Sequence, residues 1–83
     1  MNKNRLVWAA RRGMLELDLL LGPFVDKHFD ALGKDDKLRF EVLLEQEDQT
    51  LFEWFLKTQV PADPNMQRIV QIVRDSRVKL SAL

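Results

Sequence analysis

The sequence predicts an all-α protein, a compact bundle of five short helices. Apolar residues recur at spacings of three and four almost throughout, and the period-two alternation of a half-buried strand is absent. Glycines and prolines punctuate these periodic segments singly or in tight turns, without a linker, repeat or low-complexity run. At 83 residues, 46% of them apolar and 31% charged, the chain makes one domain over residues 1–83. A domain of this size buries only about 60–65% of the surface its unfolded form exposes, so each helix needs an efficient apolar face.

The first helix is expected over residues 4–12, capped by Asn2 or Asn4, with Leu6, Val7 and Ala10 on one side. Gly13 suits the left-handed position that ends a helix. Met14, Leu17, Leu21, Phe24 and His28 follow at alternating spacings of three and four, and Leu20 widens them into an inward stripe. Pro23 offers no N–H to the carbonyl of Leu19 and crowds it. That predicts a kink or break, with the helix resuming through FVDKHFDAL and stopping at Gly33. Asp35 or Asp36 is expected to cap the third helix, DKLRFEVLLEQE, which turns Phe40, Leu43 and Leu44 inward. Asp48 is expected to cap the fourth, QTLFEWFLK, which buries Leu51, Phe52 and Phe55. In PADPNMQRIVQIVRDSR, Asp63 reads as N-cap and Pro64 as the first helical residue, with Met66, Ile69, Val70 and Val73 along one face. Residues 78–83 read as a frayed or mobile tail.

Composition removes several classes of function. Thirteen basic and thirteen acidic residues cancel, so bulk charge gives no support to nucleic-acid binding. With no cysteine there is no disulfide, thiolate chemistry or cysteine-ligated metal. No apolar run approaches the ~20 residues of a membrane span, and MNKNRLVWAARR lacks the apolar core of a signal peptide. A cytoplasmic protein without direct membrane insertion is expected. Catalysis is poorly supplied: His28 is the one histidine, beside Phe24 and Leu32, and reads as a packed structural residue. One histidine without cysteine makes no convergent metal site. The acidic run EQED, residues 45–48, lacks the glycine and alternating oxygen ligands of a calcium loop and reads as a solvated helix end. Glycines standing singly at 13, 22 and 33 make no phosphate-cradling loop.

Charge gathers instead in RRGMLELD, residues 11–18. Helical spacing puts Arg5, Trp8 and Arg12 on one face, away from Leu6 and Ala10. An exposed tryptophan among arginines is the composition of protein–protein hot spots. Equally, Trp8 could fold down over the bundle with the arginine stems against it, and spacing does not separate the two arrangements. Were the helix continuous through Gly13, Arg12 and Glu16 would form an i,i+4 ion pair worth only ~0.2–0.5 kcal/mol. A bend at Gly13 instead lets both project from a helix–helix corner toward one external surface. The glycine then tolerates positive φ and leaves a bare spot where a partner can approach.

In these residues the chain resembles the SdhE/Sdh5 family, the succinate dehydrogenase assembly factors of bacteria and mitochondria. The family's RGxxE signature is matched by Arg12-Gly13-Met14-Leu15-Glu16, extended by Arg11 before it and Leu17-Asp18 after it. Trp8, Pro23-Phe24, LFEW at 51–54 and PADP at 61–64 agree as well, so the resemblance covers nearly the whole chain. It implies a five-helix bundle and a non-enzymatic assembly chaperone that promotes covalent attachment of FAD to the flavoprotein subunit of succinate dehydrogenase. The related fumarate reductase flavoprotein is a second implied client. FAD and the modified histidine belong to the client, so no stably bound cofactor and no catalytic residue are expected here. Arg12, Gly13 and Glu16 carry over as the family's contact motif, and Arg11, Asp18 and Trp8 are placed around it to complete a flavoprotein-binding set. Two departures stand out: KTQV precedes Pro61 where many relatives carry glycine, and Val25 follows Phe24 where an aromatic pair is common. The short start without a mitochondrial presequence points to the bacterial branch. A monomer is expected, although nothing in the sequence decides whether the bundle dimerises. Bacterial members have also been labelled the antitoxin half of a toxin–antitoxin pair, so a regulatory protein-binding module is the alternative. Direct FAD carriage finds no dinucleotide fingerprint to support it.

Overall fold

The computed structural model describes residues 2–81, with side chains through residue 76. In order, α1 spans Lys3–Ala10, α2 Leu15–Lys27, α3 Lys34–Leu43, α4 Asp48–Leu56 and α5 Pro64–Ser81, with a 3-10 turn at Phe29–Ala31 between α2 and α3. No strand occurs among the described residues. The all-α, five-helix expectation holds among the described residues. Helix α2 is the hub, packing against α1, α4 and α5, while α3 lies on α5. Their inward faces meet in one buried cluster that draws on every helix.

The N-terminus of α1 is capped as expected, with Asn2 Oδ1 accepting from the Arg5 N–H at 2.9 Å. Leu6 and Ala10 are fully buried, but Val7 is exposed. The helix stops at Ala10, earlier than its apolar pattern implies, because Arg11 is already extended. Gly13 does take positive φ, +80°, yet it lies in the linker between helices and does not close α1.

Of the kink or break expected at Pro23, there is no break: helix α2 runs on through it. Leu19, four residues before the proline, is exposed, so the hydrogen bond that proline cannot make is lost on the solvent side of the helix. Leu17, Leu20, Leu21, Phe24 and Val25 bury the opposite stripe. The helix then ends at Lys27, and Phe29 turns into the core, its ring 5.6 Å from that of Phe40. Gly33 does not stop α2; it is the N-cap of α3, in extended backbone.

Asp35 and Asp36 are therefore not caps. They lie in the first turn of α3, where carboxylates complement the helix dipole. Asp36 accepts from Arg68 Nε and Nη2 at 2.8 and 3.0 Å and from Arg39 Nη1 at 2.8 Å, tying α3 to α5. These guanidinium bonds, with Arg68 foremost, hold its carboxyl below the ordinary aspartate range. Asp48 likewise begins α4 without capping it; the N-cap is Glu47, which makes no side-chain cap bond. Of the expected buried trio in α4, Leu51 is fully buried and Phe52 and Phe55 only half so. Asp63 and Pro64 open α5 as read, with Asp63 Oδ1 accepting from the Asn65 N–H at 2.8 Å, and Met66, Ile69, Val70 and Val73 are buried. The expected tail at 78–83 falls beyond the described side chains, and residues 82–83 lie outside the described residues altogether.

Helix α4 ends on Lys57 in the left-handed conformation, φ 66° and ψ 17°. This is the turn where the resemblance anticipates glycine, and the backbone explains why: a Cβ is disfavoured there. Lys57→Gly is expected to stabilise the fold by up to ~1 kcal/mol, the relief of strain exceeding the entropy glycine adds to the unfolded chain. Urea unfolding should show a higher midpoint at unchanged m value. A lowered midpoint would show that Lys57 sits there without strain.

Candidate functional site

Residues 11–14 make the corner between α1 and α2, extended at Arg11 and Met14 and left-handed at Gly13. Trp8, in the last turn of α1, is 71% exposed and does not fold over the bundle. The Arg11 guanidinium carbon stands 5.7 Å from the centre of its ring, so Arg11 supplies the cation beside Trp8. At an exposed site such a contact is worth about 0.5–1 kcal/mol, enough to bias the orientation of both side chains. A Cβ built on Gly13 meets nothing within 4 Å, so that position opens to the outside. Glu16, in the first turn of α2, is exposed and makes no ion pair among the described residues.

Arg12 behaves differently. Its side chain is only 14% exposed and turns inward across the molecule. Nη1 donates to the carbonyl of Gln46 at 3.1 Å and lies 3.5 Å from Asp48 Oδ1, and Nη2 donates to the carbonyl of Leu44. These carbonyls sit at the end of α3 and in the turn to α4, where helical N–H partners run out. Helix α3 has no basic residue in its own last turn, so Arg12 supplies from a distance the cation that a helix C-terminus favours. The Arg12 backbone N–H donates to Asp18 Oδ1 at 2.7 Å, and Asp18 is half-buried. The expectation that Arg12 and Glu16 project together is thus corrected: Glu16 faces out and Arg12 faces in. Arg12 is also outside α1, so it shares no helical face with Arg5 and Trp8.

The six residues singled out from the sequence therefore divide. Trp8, Arg11, Gly13 and Glu16 form an exposed corner, and Arg12 and Asp18 lie beneath it. What the sequence reading missed is the apolar surface next to them. Glu16, Leu19, Phe52, Phe55 and Leu56 line much of a groove of about 380 Å³ between α2 and α4, with Leu17 and Leu20 among its remaining walls. Leu15, Leu19 and Leu56 are all more than half exposed. A signal existed in the breadth of the apolar face of α4, where Leu51, Phe52, Phe55 and Leu56 exceed what one bundle contact covers.

Elsewhere His28 is half-buried, its ring 5.7 Å from that of Phe24, and its Nε2 has no hydrogen-bond partner among the described residues. The acidic run disperses: Glu45 and Glu47 are exposed, and Asp48 faces Arg12. No group of three or more histidine, aspartate or glutamate side chains converges among the described residues. No described helix is long and apolar enough to cross a membrane. The corner combines an exposed aromatic, a cation, a carboxylate and an apolar groove, the elements of a protein-recognition surface.

Comparison with known proteins identifies the family. A family model described as flavinator of succinate dehydrogenase matches residues 4–77. The FAD assembly factor SdhE of Shewanella oneidensis is 51% identical over 74 residues, which is 89% of this chain and 90% of that protein. SdhE of Pseudomonas aeruginosa is 48% identical over 71 residues, 86% of this chain and 84% of that one. SdhE of Colwellia psychrerythraea is 48% identical over 79 residues, 95% of this chain and 86% of that one. Matched from α1 into α5 by the family model, and by bacterial relatives over most of both lengths, the chain belongs to the Sdh5 family, the flavinators of succinate dehydrogenase.

Proposed function

We propose that this protein binds the flavoprotein subunit of succinate dehydrogenase and promotes its covalent flavinylation, acting as a cytoplasmic, monomeric assembly chaperone and not as an enzyme. The fumarate reductase flavoprotein is a second client. FAD stays with the client throughout, and this chain holds no cofactor of its own. Family membership supports the pathway. The observation that carries the docking site is the joint exposure of Trp8, Arg11, Gly13 and Glu16 around one left-handed residue, with Arg12 and Asp18 beneath.

Each exposed residue has a physical role in this reading. The bare Gly13 lets client backbone come close, and Glu16 accepts charge-assisted hydrogen bonds from client donors. Trp8 contributes a large apolar surface at low entropic cost, and Arg11 keeps its ring standing off the bundle. Docking favours the client conformation in which the acceptor histidine meets the isoalloxazine ring. Holding two groups in attack geometry lowers a barrier without any reacting group from the helper. The helper has to bind that conformation more tightly than the others, since equal affinity shifts no population.

The test is covalent flavin on the succinate dehydrogenase flavoprotein, read by in-gel fluorescence in cells lacking this chain and in cells given it back. Wild type should restore the signal. Glu16→Ala, expressed at the same level, should leave it lower by roughly tenfold, the equivalent of ~1.4 kcal/mol of lost interaction. Flavin that never depends on this chain would overturn the proposal, and rescue of growth arrest independent of flavoproteins would replace it with the regulatory-module reading.

A further inference from the structure

Arg12 lies within the RGxxE motif, yet its charged end points away from the surface that the motif presents. Both terminal nitrogens of the guanidinium are spent on this chain, on the carbonyls of Leu44 and Gln46 and, at 3.5 Å, the carboxylate of Asp48, while Nε is buried without a hydrogen-bond partner among the described residues. Its peptide N–H is spent as well, on Asp18 Oδ1 at 2.7 Å. One residue thereby ties the linker to two separate places, its backbone to the first turn of α2 and its side chain to the turn between α3 and α4. Immediately beside it stand Arg11 and Gly13, both exposed, with Glu16 one turn further on.

We infer that Arg12 is a positioning residue for flavoprotein docking: it touches its own chain and not the client, and it holds Arg11, Gly13 and Glu16 in the arrangement that the client meets. The inference rests on the docking reading above. Its physical basis is the linker's freedom. A glycine at positive φ has wide conformational latitude, and a corner hinged on it samples many orientations unless its flanks are fixed. When only a fraction of molecules holds the competent geometry, the apparent affinity falls by that fraction. Lysine does not replace Arg12, because a single ammonium cannot span two carbonyls and a carboxylate with a planar fork.

Two measurements on the full chain and the apo-flavoprotein test this. In the first, phenylglyoxal modification of wild type, mapped by mass spectrometry, compares the free protein with the complex. Arg12 should resist in both states, while Arg11 reacts when free and is protected when bound. Arg12 that reacts when free and is protected only in the complex is a contact residue, and the inference falls. In the second, binding is titrated for Arg12→Ala, Arg12→Lys, Glu16→Ala and the Arg12→Ala/Glu16→Ala double variant, at a temperature where circular dichroism shows each folded.

Each single change is expected to weaken binding about tenfold, and the double variant hardly more, because the Glu16 contact is already lost with its geometry. A double loss near the product, about a hundredfold, means independent contacts and overturns the inference. Unchanged binding by folded Arg12→Ala reduces Arg12 to a fold stabiliser and overturns it too. The docking reading fails by a different signature: wild type itself does not bind the flavoprotein.

Discussion

Gly13→Arg is expected to keep all five helices and lose client function. Within the chain the arginine meets nothing, because a Cβ at this position has no heavy atom within 4 Å. Its internal cost is conformational, about 1–2 kcal/mol for placing an L-residue at the φ of +80° that Gly13 adopts. The external consequence is larger. On the proposed docking surface a long cation would stand where client backbone approaches, beside Arg11, and both the steric and the charge terms would oppose docking. Covalent flavin in complemented cells should fall by roughly tenfold or more, and a loss of that size corresponds to at least ~1.4 kcal/mol. Gly13→Ala separates the two terms, since it carries the same backbone cost and almost no bulk. Flavinylation retained by alanine and lost by arginine identifies close approach as the cause. Loss in both identifies the backbone shape. Full activity of folded Gly13→Arg would remove Gly13 from the contact surface.

Phe40→Ala is the substitution expected to damage the fold most. Phe40 is fully buried, with its ring 5.1 Å from Phe24 of α2 and 5.6 Å from Phe29 of the 3-10 turn. It is the meeting point of three elements. Truncation removes a large apolar surface and leaves a cavity that two flanking aromatic rings fill poorly, for a loss of about 3–5 kcal/mol. At ~0.05–0.15 kcal/mol per residue, a chain this long has only about 4–12 kcal/mol in total, so much or all of its stability is at stake. Urea unfolding followed by circular dichroism should show a steep fall in midpoint, with Phe40→Leu recovering part of it. A loss below ~1 kcal/mol would mean that the Phe24–Phe40–Phe29 cluster is not what joins α3 to α2.

The two substitutions draw on information that the sequence carries unequally. Phe40 was legible as core from spacing alone, as were Leu6, Leu17, Leu21, Phe24, Leu51 and the four buried apolar residues of α5. So were the caps at Asn2 and Asp63. Gly13 was legible as a position for positive φ. Arg12 was not legible as an inward residue, because its partners Leu44 and Gln46 lie more than thirty positions away and are backbone carbonyls, which leave no mark in a sequence. The same holds for Asp36, read as a cap and found bound to Arg68, and for Asp48, read as a cap and found facing Arg12. A carboxylate near a helix start fits a local role by its type, and only the distant arginine reveals the other one.

By itself, then, the sequence determined what depends on neighbours within a turn or two: the number of helices, their inward stripes, the opening of the first and last, and a corner at Gly13 with charge around it. The motif residues resembling a known family were determined in the same way, by identity and order along the chain. Tertiary structure decided the rest. It showed that Pro23 does not break α2, that Gly33 opens a helix instead of closing one, that Trp8 stands exposed with Arg11 beside its ring, and that Phe52 and Phe55 wall a groove beside Glu16. Above all it decided which charges of RRGMLELD face outward. The reason is physical: helical periodicity and capping are short-range and nearly additive along the chain, whereas the direction a guanidinium takes is set by whichever unpaired carbonyls the folded chain brings within its reach.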